Sequence, residues 1–415
     1  MLDIKFIREN SEKVKESCKN KQVKVDIDKL LKLDTQKREQ LQELENLRAE
    51  QNKISKQSID KEQIEKAKKI KEKIKKIEPD LKEIEKTFND LMLQVPNLSQ
   101  EDVPAGKDET ENVVVKEVGK VTKFDFKPKD HLELGENLDL IDVKRAAKIS
   151  GTRFSYLKNE AVSLEFALIN LIFETLTKEG FIPVIPPVMI KPEMAIGMGY
   201  PEQFDGEEAY YIEKDKLYLV GTAEQSVGTM HAGEILNEKD LPKRYLGFST
   251  CFRREAGAYG KDTRGILRVH QFDKVEMFSF CKPEDSKKEH QFFLKMEEKL
   301  MGFLEIPYRV VQMCTGDLGF PTAAKYDIET WLPSENRYRE THSTSNCTDF
   351  QARRLNVRYR KEKDTKLDFI HTLNGTAFAI GRIVIAILEN YQQKDGSIKI
   401  PKALQEYLPF KEIKK

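Results

Sequence analysis

The first 105 residues of the chain contain no glycine, and this absence restricts what the N-terminal quarter can form. All 21 glycines lie from Gly106 onward, and the first 95 residues are also almost free of aromatic side chains. Such a segment has few residues that favour tight turns and little material for a globular core. We therefore expect it to form long helices.

Apolar residues in this segment follow a spacing typical of paired helices. From residue 70 onward the intervals alternate between four and three residues, at Ile70, Ile74, Ile77, Leu81, Ile84, Phe88 and Leu91. A second amphipathic stretch, with a more polar seam, contains Leu30, Leu33, Leu41, Leu44 and Leu47. The pattern predicts an antiparallel helical hairpin with arms of roughly 30 residues, about 45 Å long.

Two local features qualify this hairpin. Residues 55–60 favour a turn, with Asp60 as the N-cap of the second helix and Gln63 in the capping-box position. Pro79 interrupts the heptad. Because proline lacks an amide donor, we predict a kink in the second helix at that point.

The hairpin carries a local excess of positive charge. Between Lys61 and Lys76 there are eight lysines and three glutamates, which gives a net charge of +5. One interpretation is an ordinary solvated helix face, and the other is a strip that follows a phosphate backbone. A projecting hairpin buries little surface by itself. The second interpretation explains why such a hairpin exists, since it would reach a binding partner.

Composition limits the class of protein. Lys and Arg number 71 against 70 Asp and Glu, so the net charge is +1 and any nucleic-acid contact must be local. No apolar run is long enough for a transmembrane helix, and the first residues lack the apolar region of a signal peptide. Five scattered cysteines without a C-x-x-C pair indicate reduced thiols rather than disulfides or a zinc site, so we expect a cytoplasmic protein.

Glycine and proline punctuate the rest of the chain, and its 415 residues are enough for two or three domains. We divide it into a helical arm domain (1–105), a linker (106–125) and a larger domain (126–415). Helices are predicted at 161–178, 284–304 and 382–391, and strands at 217–220 and 271–278. These elements favour an α+β fold with a mainly antiparallel sheet flanked by helices. Neither a G-x-G-x-x-G nor a Walker A sequence is present.

The first string that suggests chemistry is FSTCFRRE at residues 248–255. Along a strand, Arg253 and Glu255 would share one face because side chains alternate. If the chain then returns as a hairpin, Arg268, Phe272 and Glu276 would join Arg253 on one surface. Two guanidinium groups with an aromatic ring suit a nucleoside polyphosphate. The alternative is an exposed hairpin with surface ion pairs.

Three further strings add polar groups. Arg382 opens the apolar run 383–388, so a buried guanidinium there would need either a ligand phosphate or a protein carboxylate. Glu340 and Ser343 offer hard oxygens that suit Mg²⁺ shared with phosphates, although such strings are common in loops, and His342 alone suits a structural role. Residues 220–224 end in Glu224, which with Glu276 would hold an ammonium or a hydroxyl, unless both are surface acids.

These strings, in this order, resemble seryl-tRNA synthetases of the bacterial type, which are class II aminoacyl-tRNA synthetases. The resemblance covers nearly the whole chain, from MLDIKFIR at residues 1–8 onward. Residues 180–187 are similar to motif 1, whose family role is the dimer interface. Residues 252–276 resemble motif 2, and NGTAFAIGR at 374–382 resembles motif 3.

The resemblance implies a serine–tRNA ligase that uses ATP and Mg²⁺ to form seryl-adenylate and then esterifies tRNA(Ser), with tRNA(Sec) as an open second substrate. The implied catalytic residues are Arg253, Arg268 and Arg382. The implied serine-binding residues are Thr222, Ala223, Glu224, Arg253, Glu276 and Thr376. The implied ATP-binding residues are Arg253, Arg254, Glu255, Val269, Phe272, Glu340, Thr341, His342, Ser343 and Arg382, of which Glu340 and Ser343 would also ligate Mg²⁺.

Within this set, Arg253 would grip the serine carboxylate and the α-phosphate, and Phe272 and Arg382 would enclose the adenine. The helical arm would bind tRNA across a homodimer, at the long variable arm. One departure from the family stands at residues 341–342, where two small residues are common and this chain has Thr341 and His342.

Two alternatives from other classes remain open. A non-catalytic relative acting as a coiled-coil scaffold should have lost motif arginines or metal ligands, whereas Arg253, Arg268, Glu340, Ser343 and Arg382 are all present. A ligase that loads amino acids onto a carrier protein should lack the long N-terminal hairpin. Pyrophosphate exchange with each amino acid, followed by charging of total tRNA, separates all three.

Overall fold

The computed structural model describes residues 1–55, 61–200, 208–256, 264–361 and 366–415. The chain divides into two compact units, Met1–Leu98 and Ser99–Lys415. The predicted cap at Asp60 lies outside the described residues. The proposed boundaries at residues 105 and 125 stay a prediction.

In the described residues of the first unit, the regular secondary structure is all helical. Its helices are α1 (Ile4–Glu9), α2 (Ser11–Asn20), α3 (Ile27–Ile54) and α4 (Lys61–Gln94). Helices α3 and α4, about 42 and 51 Å long at 1.5 Å per residue, pack along each other. Leu44, Ile70, Ile74 and Leu81 form the buried seam between them. The predicted helical hairpin is therefore confirmed, and Pro79 lies inside a continuous α4.

A capping residue marks the start of α3, and ion pairs join α3 to α4 beyond it. Asp26 caps α3, because its carboxylate accepts a hydrogen bond from the amide of Lys29 at 2.8 Å. Ion pairs then join the two helices along their length, including Arg48 with Glu78 at 2.9 Å and Lys37 with Glu85 at 3.6 Å. These pairs are solvent-exposed and contribute little stability each, so the apolar seam holds the hairpin together.

The second unit combines helices with a large sheet. Its helices are α5 (His131–Asn137), α6 (Val143–Ser150), α7 (Glu160–Lys178), α8 (Pro192–Met198), α9 (Ala223–Thr229), α10 (Ser286–Leu304), α11 (Phe350–Leu355) and α12 (Ile380–Asn390). Its strands are β1 (Val113–Val118), β2 (Ile141–Asp142), β3 (Tyr156–Leu157), β4 (Ile182–Val184), β5 (Met189–Ile190), β6 (Tyr211–Ile212), β7 (Leu217–Leu219), β8 (Ile235–Asn237), β9 (Lys243–Phe252), β10 (Gln271–Cys281), β11 (Tyr308–Gln312), β12 (Ala324–Leu332), β13 (Arg337–Thr348), β14 (Arg358–Arg360), β15 (Leu367–Phe369), β16 (His371–Ala379), β17 (Ile398–Lys399) and β18 (Glu412–Ile413).

Eight strands form the central sheet in the order β1-β11-β12-β13-β16-β10-β9-β4. Every pair is antiparallel except β4 with β9, which is parallel. The mainly antiparallel α+β fold is thus confirmed. Strands that are far apart in sequence, such as β10 and β16, lie side by side, and this places motif 2 next to motif 3.

The two faces of the sheet differ in polarity, because successive side chains along a strand point to opposite faces. On β10, Val275 and Met277 belong to a core shared with residues of α7, α10 and α12. Glu276, between them, lines a cavity on the other face. One face therefore packs against helices and the other carries polar groups.

Strand β1 lies within residues 106–125, the segment interpreted from the sequence as a linker. Val113–Val118 pairs with β11 and forms an edge of the central sheet. The acids, prolines and glycine around this strand favour a linker, but its short run of β-branched residues pairs with β11, which is far away in sequence. Most residues of this edge strand are exposed, so the sequence has no alternation of buried and exposed side chains that would predict a strand.

All five cysteines are buried and free of disulfides. Among the described residues, none of the helices has the length and apolar character needed to span a bilayer.

Candidate active site

The polar face of the sheet contains a cavity of about 730 Å³. Seven of the residues proposed from the sequence line it: Thr222, Glu224, Arg253, Glu276, Glu340, Ser343 and Thr376. Tyr200, Lys274, Lys325 and Asn374, which the sequence did not single out, also line it. The cavity is therefore built from segments spread over about 175 residues of the chain.

At one part of the cavity, helix α9 begins with Thr222 as its N-cap, whose hydroxyl accepts from the amide of Glu224 at 3.2 Å. The Glu224 carboxylate is buried and accepts from Tyr200 Oη at 2.6 Å and from Gln351 Nε2 at 3.1 Å. Burial, together with the nearby Glu276, raises the pKa of Glu224 above its usual value, although the hydrogen bonds from Tyr200 and Gln351 act to lower it. Two buried acids thus lie close enough for one to raise the pKa of the other.

Glu276 shares its oxygen Oε2 with two donors. Lys274 Nζ lies 2.5 Å away and Thr222 Oγ1 lies 3.2 Å away. Lys274 and Glu276 are two residues apart on β10, so they point to the same face. In the part of the chain that the structure describes, Lys274 is the cation that pairs with Glu276 and also acts on Glu224, so two acids and one lysine meet in this part of the cavity.

Arg253 stands directly after strand β9. Its Nε donates to the carbonyl of Gly221 at 3.1 Å, and its guanidinium lies 5.3 Å from the centre of the Phe272 ring. Phe272 pairs with Cys251 across the β9–β10 ladder. The predicted hairpin therefore does bring Arg253, Phe272 and Glu276 to one region.

Glu255 does not follow the strand alternation that the sequence suggested. Strand β9 ends at Phe252, and Glu255 has a φ of +54°, in the left-handed region. Its carboxylate pairs with Arg268 at 2.5 Å. The prediction that Arg253 and Glu255 share a strand face is wrong, because both residues lie beyond the end of β9 and Glu255 adopts a left-handed backbone conformation.

Arg382 lies on α12 and reaches the neighbouring strand β13. Its Nη1 donates to the carbonyl oxygen of Glu340 at 2.9 Å and lies 3.4 Å from Oε1 of the same residue. Partial desolvation alone would raise the pKa of Glu340, but Arg382, Lys325 and Arg253 outweigh it and lower the pKa to about 2. Glu340 is consequently anionic, while solvent still reaches 49 % of its side chain.

Asp327 and Lys325 form a second ion pair near Glu340, at 3.3 Å. Asp327 lies opposite Ser343 in the β12–β13 ladder. Burial raises the pKa of Asp327 to about 7, although Lys325 and the Ser343 hydroxyl favour its charged form. Glu340, Ser343 and Asp327 thus present hard oxygen atoms of the kind that Mg²⁺ prefers.

Thr341 and His342 are placed differently from the other proposed ATP-binding residues. Both side chains are buried, and the Thr341 hydroxyl bonds to Thr330 at 2.7 Å and to His342 Nδ1 at 2.8 Å. Burial lowers the pKa of His342 to about 3, so the imidazole is neutral. Neither side chain lines the cavity, and any contact of these two residues with ATP would have to come from the backbone.

The other proposed residues, including Arg268, Phe272 and Arg382, are not among those that line the cavity. Ala223 is fully buried in the first turn of α9, and Val269 is also buried. The amide of Arg254 donates to the carbonyl of Glu208 at 3.0 Å, and its guanidinium lies 5.9 Å from the Tyr210 ring centre.

The sequence could have revealed two of the missed residues. Lys274 stands two positions before Glu276 and Asn374 two positions before Thr376, and strand alternation places each pair on one face. Tyr200 and Lys325 had no such local signal, because tertiary packing brings them to the cavity.

Family models match most of the chain. Residues 1–99 match the seryl-tRNA synthetase N-terminal domain. Residues 208–391 match the tRNA synthetase class II core domain (G, H, P, S and T).

Individual relatives agree with these matches over the full length. The chain is 48 % identical over 424 residues to the serine–tRNA ligase of Dictyoglomus turgidum, which covers 100 % of this chain and 99 % of that protein. The crystal structure of seryl-tRNA synthetase from Pyrococcus horikoshii complexed with ATP superposes with a TM-score of 0.93 at 44 % identity, covering 100 % and 99 % of the two chains. The cytoplasmic serine–tRNA ligase of Naegleria fowleri in complex with AMP superposes with a TM-score of 0.89 at 34 % identity, with the same coverage.

Proposed function

This chain belongs to the seryl-tRNA synthetase family, and we propose which of its residues bind each part of the substrates. The protein is an ATP-dependent serine–tRNA ligase of class II. The assignment of substrate groups to side chains, the metal, the tRNA contact and the dimer are our proposals.

One observation carries the assignment: the cavity has an acidic part and a basic part. Glu224 and Glu276 share Lys274, whereas Arg253, Arg382 and Lys325 surround Glu340. A ligand that is cationic at one end and polyanionic at the other would match both parts. Serine and ATP, joined through the serine carboxylate and the α-phosphate, have this charge distribution.

The acidic part would hold the amino acid. Glu224, oriented by Tyr200 and Gln351, and Thr222 would bind the serine ammonium, which would lower the repulsion between the two buried acids. Glu276 and Thr376 would bind the serine hydroxyl. A site that hydrogen-bonds a hydroxyl leaves its own polar groups unpaired when alanine binds, which disfavours alanine.

The basic part would hold the nucleotide. Arg253 would contact both the serine carboxylate and the α-phosphate. Phe272 would stack on the adenine, with Arg382 on its other side. Arg268 would meet the outer phosphates, and Glu255 with the backbone of Val269 would contact the adenine edge.

Glu340 and Ser343 would hold Mg²⁺. The fit rests on the anionic state of Glu340 and on a donor set of hard oxygens that includes the neighbouring Asp327. The ion would neutralise charge on the phosphates when bound.

The chemistry then needs positioning more than acid–base catalysis. The serine carboxylate is already anionic, so it attacks the α-phosphorus without a general base, and pyrophosphate leaves. Arg253 would hold the attacking oxygen near the phosphorus and stabilise the developing charge. In the second step a hydroxyl of the terminal adenosine of tRNA attacks the activated carbonyl, and AMP leaves.

The helical arm would bind tRNA(Ser). All eight lysines between residues 61 and 76 are exposed, and this unit matches the N-terminal domain of the family. Exposed lysines on a long helix suit contacts with a phosphate backbone. Charging of tRNA(Sec) stays a prediction.

We also propose a homodimer formed through the motif 1 region, in the cytoplasm. Val162 and Phe166 on α7 are 39 % and 60 % exposed, and Ile182 and Ile185 are 47 % and 82 % exposed. Apolar side chains this exposed suit burial in an interface. Sedimentation of the protein and of an Ile185→Asp variant tests the dimer, and an unchanged monomer mass in both would refute it.

The overall assignment is tested by pyrophosphate exchange with each of the twenty amino acids, followed by charging of total tRNA. We expect exchange with serine alone and serine-specific charging. An Arg253→Ala variant should lose exchange by about 10²-fold or more, because one positioned charge is removed from the transition state. Exchange by this variant at the wild-type rate would contradict the proposed role of Arg253.

A further inference from the structure

His131, at the start of α5, holds the segment that leads into Arg268. Gly265 has a φ of +74°, and a Cβ added to it would lie 2.0 Å from Nε2 of His131. The amide of the next residue, Ile266, donates to this same Nε2 at 3.2 Å. The backbone therefore turns directly against the imidazole, two residues before Arg268.

The partners of His131 define which ring nitrogen carries the proton. Because Nε2 accepts from Ile266, it is unprotonated, and Nδ1 carries the hydrogen. Nδ1 faces Oε1 of Glu389 at 3.4 Å, and the backbone amide of His131 donates to the same oxygen at 3.1 Å. The amide of Ser334 donates to Oε2 at 3.1 Å. Glu389 is only 1 % exposed, so these donors hold a buried carboxylate that orients the imidazole.

Glu389 links this contact to the second arginine. It lies on α12, seven residues after Arg382, which is close to two helical turns or about 10 Å along the axis. One side-chain pair, His131 with Glu389, thus connects the segment before Arg268 to the helix that carries Arg382. These two arginines come from motifs that are more than 100 residues apart in the chain.

We propose that His131 and Glu389 are positioning residues that set the placement of Arg268 relative to Arg382 for binding the triphosphate. Neither side chain lines the cavity, so both act through the arginines. This inference rests on the proposed function, since it assumes that both arginines meet ATP. The serine-binding groups stand on α9, β10 and β16, so a disturbed pair should weaken ATP binding much more than serine binding.

The test is steady-state pyrophosphate exchange with ATP and serine varied separately. His131→Leu removes the acceptor of Ile266 at similar volume, whereas His131→Gln supplies an amide oxygen in its place. We expect His131→Leu to raise the KM for ATP by about tenfold or more, with the KM for serine changed less than about twofold. His131→Gln should recover most of the loss. Glu389→Gln, which removes the charge and one of the two acceptor oxygens at the same volume, should raise the KM for ATP by about threefold.

A matched control separates positioning from general destabilisation. His231 is also a buried histidine with two partners, Glu234 and Tyr245, and within the described residues it neither lines the cavity nor hydrogen-bonds to motif 2. His231→Leu should lower the unfolding temperature without changing the ratio of the two KM values. If His131→Leu shows that same behaviour, the positioning role is overturned in favour of a structural one.

Arg382→Ala distinguishes failure of this inference from failure of the proposed function. If Arg382→Ala leaves the KM for ATP unchanged, the nucleotide assignment itself is wrong. The other outcome is that Arg382→Ala raises the KM for ATP but the folded variants at His131 and Glu389 all match the wild type. In that case the nucleotide assignment stands and only the positioning role of His131 and Glu389 is wrong.

Discussion

The two units of the chain carry their charges in different ways. In the helical unit the lysines between residues 61 and 76 all face solvent, and the ion pairs joining α3 to α4 are exposed as well. In the second unit Glu224, Lys274 and Glu276 are buried together, and Asp327 is buried beside Lys325. The same residue types thus appear at a surface in one unit and inside a cavity in the other.

This difference predicts different physical behaviour. Exposed charges act over several ångströms, are screened by salt, and suit a flexible polyanion. Buried charges act through fixed contacts, have shifted pKa values, and suit a small ligand of defined shape. The helical unit should therefore respond to ionic strength and the second unit to pH and single substitutions.

The largest expected effect comes from shortening the hairpin. Replacing residues 38–84 by a short loop between Lys37 and Glu85, which face each other at 3.6 Å, removes the lysine strip and keeps the base of the unit. Charging of tRNA should fall by on the order of 10³-fold or more because the phosphate contacts are lost. Pyrophosphate exchange should stay near the wild-type rate. Charging at the wild-type rate would show that the arm does not bind tRNA.

The next effect concerns a buried charge. Glu276→Gln keeps the volume but removes the anion that meets Lys274 and, in our proposal, the serine hydroxyl. We expect serine-dependent exchange to fall by about 10²-fold or more, since hydrogen bonds to charged groups contribute about 1.5–3 kcal/mol. Exchange with alanine, measured at high concentration as the control, should change less. Equal losses for serine and alanine would remove Glu276 from hydroxyl recognition.

A smaller effect should appear in the salt dependence of charging. Replacing Lys68, Lys71 and Lys75 by Gln should flatten the plot of log(kcat/KM) for tRNA against log[salt] by about 0.7–0.9 per lost phosphate contact. The exchange reaction, which does not involve tRNA, should keep its salt dependence. Lys82→Gln with Lys86→Gln, on the same helix outside the strip, serves as the control. An identical slope in all three proteins would favour the simple solvated-face interpretation.

The smallest effect is on stability and concerns a buried acid behind the cavity. Glu297 on α10 is fully buried, and burial, together with Asp327 and Glu276, raises its pKa well above the usual 4.5. The folded acid stays protonated while that of the unfolded chain ionises, so this residue lowers stability as pH rises above about 4.5. Glu297→Gln should match the wild type near pH 5 and be the more stable of the two at pH 8, by an amount set by how far the folded pKa lies above 4.5.

Unfolding at the two pH values is followed by the fluorescence of Trp331, the single tryptophan, which lies in the second unit. A stability difference that is equal at pH 5 and pH 8 would show that Glu297 does not titrate as described.

Sequence reasoning succeeded for the hairpin because the signal is local. The seam at Ile70, Ile74 and Leu81 follows from a repeat that any helix of this sequence would present. It also placed Arg253 and Glu276 at one site, and both side chains line the cavity. It failed at Glu255, where the backbone is in the left-handed region three residues after the strand ends.

Local sequence and tertiary structure thus determined different parts of this protein. Periodicity, charge distribution and motif order are properties of neighbouring residues, so the chain alone specified the helical arm, the α+β class and the family. The order of the eight strands brings Lys325, Glu340 and Arg382 together, although more than 50 residues separate the first from the last. The shifted pKa values of buried acids and the contact of His131 with Glu389 depend on that long-range packing, because burial and distance exist only after the sheet has formed.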